Sequence, residues 1–101
     1  MTDTAAAIAA LGDPTRRAVF ERLRDGPRAA GELAEGLPVS RSAVSQHLGV
    51  LLEVGLVTQR REGTRRLYRV DPDGLGALRA YFDDLWGAAL QSAADLTEQD
   101  R

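Results

Sequence analysis

The chain has 101 residues, 44% of them hydrophobic and 28% charged, with a net charge of −2. That length supports one domain with one core, and that balance excludes wholesale disorder. No apolar run approaches the ~20 residues needed to span a bilayer. Cysteine is absent and His47 is the only histidine, which excludes disulfide scaffolds, thiolate metal sites, cysteine nucleophiles and a multi-histidine cage within one subunit. The start, Met1-Thr2-Asp3-Thr4, has no basic region leading into an apolar stretch, so a cytoplasmic location is expected.

All 13 basic residues are arginines, and they are unevenly placed. Residues 13–70 carry eleven arginines against seven acids, a net +4, while residues 71–101 carry two against seven, a net −5. A basic middle beside an acidic end is the asymmetry of a chain whose one face meets phosphate.

In chain order, Thr4 to Leu11 reads as a short helix closed by Gly12. Asp13-Pro14 supplies a cap and a first-turn proline for a second helix running to about Arg24, with Val19, Phe20 and Leu23 on one face. Arg16 and Arg17 in its first turn oppose the helix dipole, so another partner must compensate them. Ala30 to Leu37 reads as a two-turn helix with Leu33, Ala34 and Leu37 inward. Ser40 then caps a helix over Arg41 to Val54, whose Val44, Leu48, Leu51 and Leu52 form one stripe opposite Ser42, Ser45, Gln46 and Gly49. Two helices joined by a turn of about three residues, over residues 30–54, make a helix-turn-helix.

Beyond Gly55 the period becomes extended. Two β-favouring runs flank Glu62-Gly63-Thr64, predicting a hairpin over about 56–70 that bears Arg60, Arg61, Arg65, Arg66 and Arg69. Arginines at that density repel one another across the strands unless a polyanion neutralises them. Asp71-Pro72 opens a last helix over about 73–96, with Leu75, Leu78, Phe82, Leu85, Ala89, Ala93 and Leu96 along one seam. A 24-residue helix of this kind is ~36 Å long, more than a small domain can cover, and a two-fold partner accounts for the excess. The expected architecture is one domain over residues 1–101, mainly α with a small two-stranded β-wing.

Leu11-Gly12-Asp13-Pro14-Thr15-Arg16-Arg17, Gly31-Glu32-Leu33-Ala34, Ser40 through Leu48, Gly55-Leu56-Val57 and Gly63 through Tyr68, in that order, resemble the ArsR/SmtB family of bacterial transcriptional repressors. The resemblance covers roughly residues 5–96. It implies a winged helix-turn-helix with extra N- and C-terminal dimerisation helices, over about 4–11 and 73–96. It also implies a homodimeric, double-stranded-DNA-binding repressor of an inverted-repeat operator.

The family's metal-sensing stretch, Glu-Leu-Cys-Val-Cys-Asp-Leu, aligns near Glu32 to Leu37 without a cysteine, and Asp83 and Asp84 have no histidine companion. The chain is therefore similar to a metal-independent branch, whose members share Asp-Pro-Thr-Arg-Arg. No metal, cofactor, membrane partner or catalytic residue is expected, and the inducer is left unknown.

A helix in the major groove presents its N-terminal residues to base edges, which makes Ser42, Ser45 and Gln46 the candidate readers, with Gln46 suited to adenine. Arg41 is suited to a base or a phosphate. Arg61, Arg65 and Arg66 are suited to phosphates or an adjacent minor groove. Arg60 and Arg69 have an alternative in pairing with Glu62 or another acid. His47 and Tyr68 read as packing residues, and Ile8, Leu11, Leu78, Phe82, Leu85, Trp86 and Ala89 as the dimer interface. Two other readings fit the same elements: a winged helix that binds protein, and a repressor released by a small organic ligand between the terminal helices near Trp86.

Overall fold

Side-chain caps start four of the five helices, the last of them through Asp71, which accepts from the Asp73 N–H at 3.0 Å. The computed structural model describes residues 3–99. In it Asp3 accepts from the Ala6 N–H at 3.2 Å and opens α1 (Thr4–Leu11), and Asp13 accepts from the Arg16 N–H at 2.9 Å and opens α2 (Pro14–Glu21). Ser40 accepts from the Ala43 N–H at 3.1 Å and opens α4 (Arg41–Glu53). Each satisfies an amide that the first turn leaves without an intrahelical partner.

Between these come a 3-10 turn (Arg22–Asp25) and α3 (Ala30–Glu35). α3 stops two residues short of the predicted Leu37, because Arg22 donates to the Gly36 carbonyl at 2.6 Å and fixes the chain there. The connection to α4 is accordingly longer than three residues. Gly12 is the C-cap of α1 as expected, with its N–H on the Ala9 carbonyl, but it is not left-handed. Its φ of −71° is right-handed, so α1 is ended by the extended Asp13 that precedes Pro14.

The compensation demanded by Arg16 and Arg17 comes from α1. Arg16 donates to the Ala10 carbonyl at 3.2 Å and Arg17 to the Leu11 carbonyl at 3.1 Å, placing both cations at the negative end of that helix.

α4 ends in a Schellman motif: the Gly55 N–H reaches the Leu52 carbonyl and the Leu56 N–H reaches the Leu51 carbonyl at 3.0 Å. The motif needs Gly55 in the left-handed region, at φ 81°. Its Val44, Leu48 and Leu51 are fully buried against Val19, Leu23, Leu33 and Leu56. This apolar stripe fixes the rotation of α4, so its polar face points outward.

The antiparallel hairpin of β1 (Val57–Glu62) and β2 (Arg65–Val70) pairs Val57 with Val70 through Glu62 with Arg65. Gly63, at φ 64°, takes the first place of the two-residue turn. A further backbone bridge, invisible in the sequence pattern, pairs Arg28 with Tyr68 through N–H···O bonds of 2.9 and 2.8 Å. It clips the hairpin to the body, and Tyr68 is buried as expected.

α5 (Pro72–Gln99) begins against the body. A Cβ on Gly74 would lie 1.8 Å from the Gly55 carbonyl oxygen, so only glycine permits that approach. From Arg79 to Thr97 every side chain is exposed. The 28-residue helix, ~42 Å at 1.5 Å per residue, stretches the molecule to 65 × 27 × 22 Å. Its radius of gyration is 17.5 Å, against ~13 Å for a compact chain of this length.

Leu78 corrects one expectation. It is 5% exposed and part of the subunit's own core, because the first turns of α5 lie on the body. Ile8 and Leu11 are half-buried against that core, whereas Phe82, Leu85, Trp86 and Ala89 are exposed.

Leu48→Ala is expected to cost ~2–5 kcal/mol and Ser40→Ala ~1 kcal/mol, both read from urea unfolding. A loss for Leu48→Ala no larger than that for Ser40→Ala would contradict the placement of the core.

Candidate nucleic-acid interface

The stripe that buries Val44, Leu48 and Leu51 leaves Ser42, Ser45, Gln46 and Gly49 exposed on the opposite face of α4. None of the three polar side chains has a hydrogen-bond partner among the described residues. A Cβ on Gly49 would meet nothing within 4 Å, so the missing side chain there serves no packing inside the subunit.

Beside this face the hairpin and the start of the helix-turn-helix enclose a groove of about 600 Å³. Arg41, Arg61, Arg65 and Arg66 line it, with Glu32 and Glu35 on the α3 wall. Four guanidiniums against two carboxylates leave it cationic. Arg41 lies along Gly31, whose Cβ would be 3.9 Å from the Arg41 Nε. The two clusters that the sequence keeps apart, the α4 tip and the hairpin arginines, thus meet around one concavity. Ser42, Ser45 and Gln46 lie on the neighbouring face and do not line it.

The strand register places Arg61 directly opposite Arg66. Among the described residues neither has an ion-pair partner. Like charges directly opposite one another destabilise a ladder. The other hairpin arginines are engaged. Arg60 pairs with Glu62 on its own strand at 3.2 Å, and Arg69 donates to the Thr58 hydroxyl at 3.2 Å. Arg65 pairs with the Glu32 carboxylate, a contact across 33 residues that the sequence pattern did not indicate. A capping-box spacing would have pointed to Glu32, but its N-cap partner is Ala29, which has no side-chain acceptor.

His47, on α4, is half-buried, and its charge acts on the Asp13 cap. The Arg16 N–H bond holds the Asp13 carboxyl below its ordinary pKa against the opposing effect of desolvation, and the charges of Arg16 and His47 add to the lowering. A depressed folded pKa contributes stability above the unfolded value and loses it as pH falls through the folded one. Among the described residues, no three His, Cys, Asp or Glu side chains gather as metal ligands, and no helix is long and apolar enough to cross a membrane.

Residues 11–60 match the model of a helix-turn-helix domain. Over 91 residues the chain is 56% identical to the transcriptional regulator Rv2034 of Mycobacterium tuberculosis, covering 90% of this chain and 85% of that one. An ArsR-like transcriptional regulator from Rhodococcus sp. RHA1 superposes with a TM-score of 0.81 at 29% identity, covering 94% of this chain and 90% of that one. The chain belongs to the ArsR/SmtB family of winged helix-turn-helix transcriptional regulators. A third member of the comparison is a homodimeric winged helix-turn-helix DNA-binding domain from Mycobacterium bovis. It is 30% identical, with a TM-score of 0.67, over 87% of this chain and 82% of that one. Of several other curated regulators that it matches, the chain spans only 47% to 62% of the length. In the family's terms α3 and α4 are the helix-turn-helix and the β1–β2 hairpin is the wing.

Two outcomes follow from the charges of this ArsR/SmtB chain. Arg66→Thr is expected to stabilise the DNA-free protein by about 0.5 kcal/mol at low salt, by removing the repulsion across the wing, and the gain should fade in concentrated salt. Calorimetric melting at two salt concentrations checks it, and an unchanged or lowered melting temperature at low salt counts against it. Asp13→Asn is expected to lower the melting temperature at neutral pH, with the gap to the native protein closing as pH falls below the carboxylate range. A gap that stays constant with pH would show that the Asp13 charge does not contribute.

Proposed function

We propose that this chain is a homodimeric repressor of transcription. In this reading it binds an inverted-repeat operator in double-stranded DNA, in the cytoplasm, with no catalytic activity and no metal sensor. The carrying observation is the convergence of Arg41, Arg61, Arg65 and Arg66 on one groove beside the outward polar face of α4. Repressors among its relatives support the sign of the regulation, among them SdpR of Bacillus subtilis.

Each subunit lays the N-terminal half of α4 in a major groove. Ser42, Ser45 and Gln46 meet base edges there, and two half-sites lie about one helical turn (~10 bp) or a small multiple apart. Gln46 offers both a donor and an acceptor to adenine. Arg61, Arg65, Arg66 and Arg41 neutralise phosphates around the groove, which supplies affinity without sequence information.

The dimer is built on α5. Phe82 is 53% and Trp86 68% exposed, and Leu85, Leu90 and Leu96 continue the same apolar helix. A two-fold partner buries that surface and sets the spacing of the two α4 helices. The homodimeric relative from Mycobacterium bovis supports this assembly. Independence from metal thiolates is supported by the absence of cysteine from the chain.

Gln46→Ala is expected to weaken binding to the cognate operator by ~1–3 kcal/mol while sparing unrelated duplex. Titration of both duplexes tests this, and an equal loss on both would remove Gln46 from the base readers. Replacing Phe82 and Trp86 together by Asp is expected to reduce the mass in sedimentation equilibrium from twice 10.9 kDa to once. A double variant that remains dimeric would place the interface elsewhere.

A further inference from the structure

Of the ion pairs among the described residues, one alone joins distant elements. Arg17–Glu21, Arg24–Glu21, Arg60–Glu62 and Arg79–Asp83 each link residues at most four apart. Arg65–Glu32 ties the tip of the wing to α3. The Glu32 oxygen that receives Arg65 also accepts the Ala29 N–H at 3.1 Å. Glu32 thus closes the N-terminus of α3, where Ala29 itself offers nothing. The same carboxylate serves a cap, for which glutamine would do equally well, and a cation, for which the negative charge is required.

Two features decide what the second contact does. The wing is already held by the β1–β2 ladder and by the backbone bridge between Arg28 and Tyr68, so the ion pair is not needed to shape it. Both partners are solvated, with 57% and 44% of their side chains exposed. An exposed pair of this kind is weak and exchangeable. Its position matters more, because Arg65 lies in the same groove as Arg41, Arg61 and Arg66.

We propose that Glu32 sets the affinity of this protein for DNA by competing with phosphate for Arg65. In the free protein the carboxylate holds Arg65 at the groove, and on the duplex the guanidinium exchanges Glu32 for a phosphate oxygen. This inference rests on the DNA-binding reading above. Glu32 lies on α3 and lines the groove, which Ser42, Ser45 and Gln46 do not, and a phosphate contact carries no sequence information. Its effect is therefore independent of sequence, and it restrains binding to operator and to bulk DNA alike.

The test uses the full chain and four proteins: native, Glu32→Gln, Arg65→Gln and the double variant. Each is titrated at low salt with a duplex from its own upstream region and with an unrelated duplex. Glu32→Gln is expected to tighten binding to both duplexes by the same factor, about two- to fivefold per subunit, the range an exposed ion pair corresponds to. In the Arg65→Gln background the gain should vanish, since no cation is left to release. Any change at the α3 cap is common to the single and double variants and cancels in that comparison. An equal gain in both backgrounds would mean that Glu32 merely repels the polyanion, and would overturn the proposal, as would no gain or a loss. Native protein that binds neither duplex defeats the DNA-binding reading and this inference with it. Native binding with an unresponsive Glu32→Gln defeats this inference alone.

Discussion

Arg61 and Arg66 face each other across the wing, with no ion-pair partner for either among the described residues. In a protein acting alone this pairing has a cost and no return, because repulsion across an antiparallel ladder opposes the hairpin that carries it. Three devices keep the hairpin in place regardless: a two-residue turn with Gly63 in the left-handed region, the Arg28–Tyr68 backbone bridge, and the burial of Tyr68. The wing is a scaffold strong enough to hold charge where charge is unfavourable. A polyanion turns that unfavourable arrangement into binding energy through the release of its counterions.

α4 supplies the complementary half. Its apolar stripe is anchored in the core by Val44, Leu48 and Leu51, and its ends are fixed by the Ser40 cap and the Schellman turn at Gly55. A helix so held cannot rotate, which gives Ser42, Ser45 and Gln46 a defined outward direction beside the wing groove. α5 belongs to a different division of labour. Its first turns, through Gly74 and Leu78, are part of the subunit's core, while its remainder carries Asp83, Asp84, Asp95 and the exposed aromatic surface, none of which lines the cationic groove.

The elements most legible in the sequence are those whose ends carry local chemistry. Asp13-Pro14, Ser40 and Gly55 mark the limits of α2 and α4 because a cap or a left-handed residue acts within a few positions. Glycines flanked by β-favouring runs mark the wing for the same reason. Features decided by distant partners were not legible. α3 ends at Glu35 because Arg22 reaches Gly36 from another element. Arg28 pairs with Tyr68 although nothing near it alternates. Leu78 turns inward because the helix start is pinned at Gly74, a close approach that periodicity alone does not reveal. Within the groove the four arginines follow from composition and turn position, whereas the Glu32 and Glu35 wall depends on how α3 docks.

The dependence of duplex binding on salt tests the central claim, that this cationic groove exists to hold DNA phosphate, most directly. With about four phosphates neutralised per subunit, the logarithm of the binding constant should fall against the logarithm of salt concentration with a slope near −7 for the dimer. A slope near zero, or no binding to duplex from the protein's own locus even in dilute buffer, would contradict it.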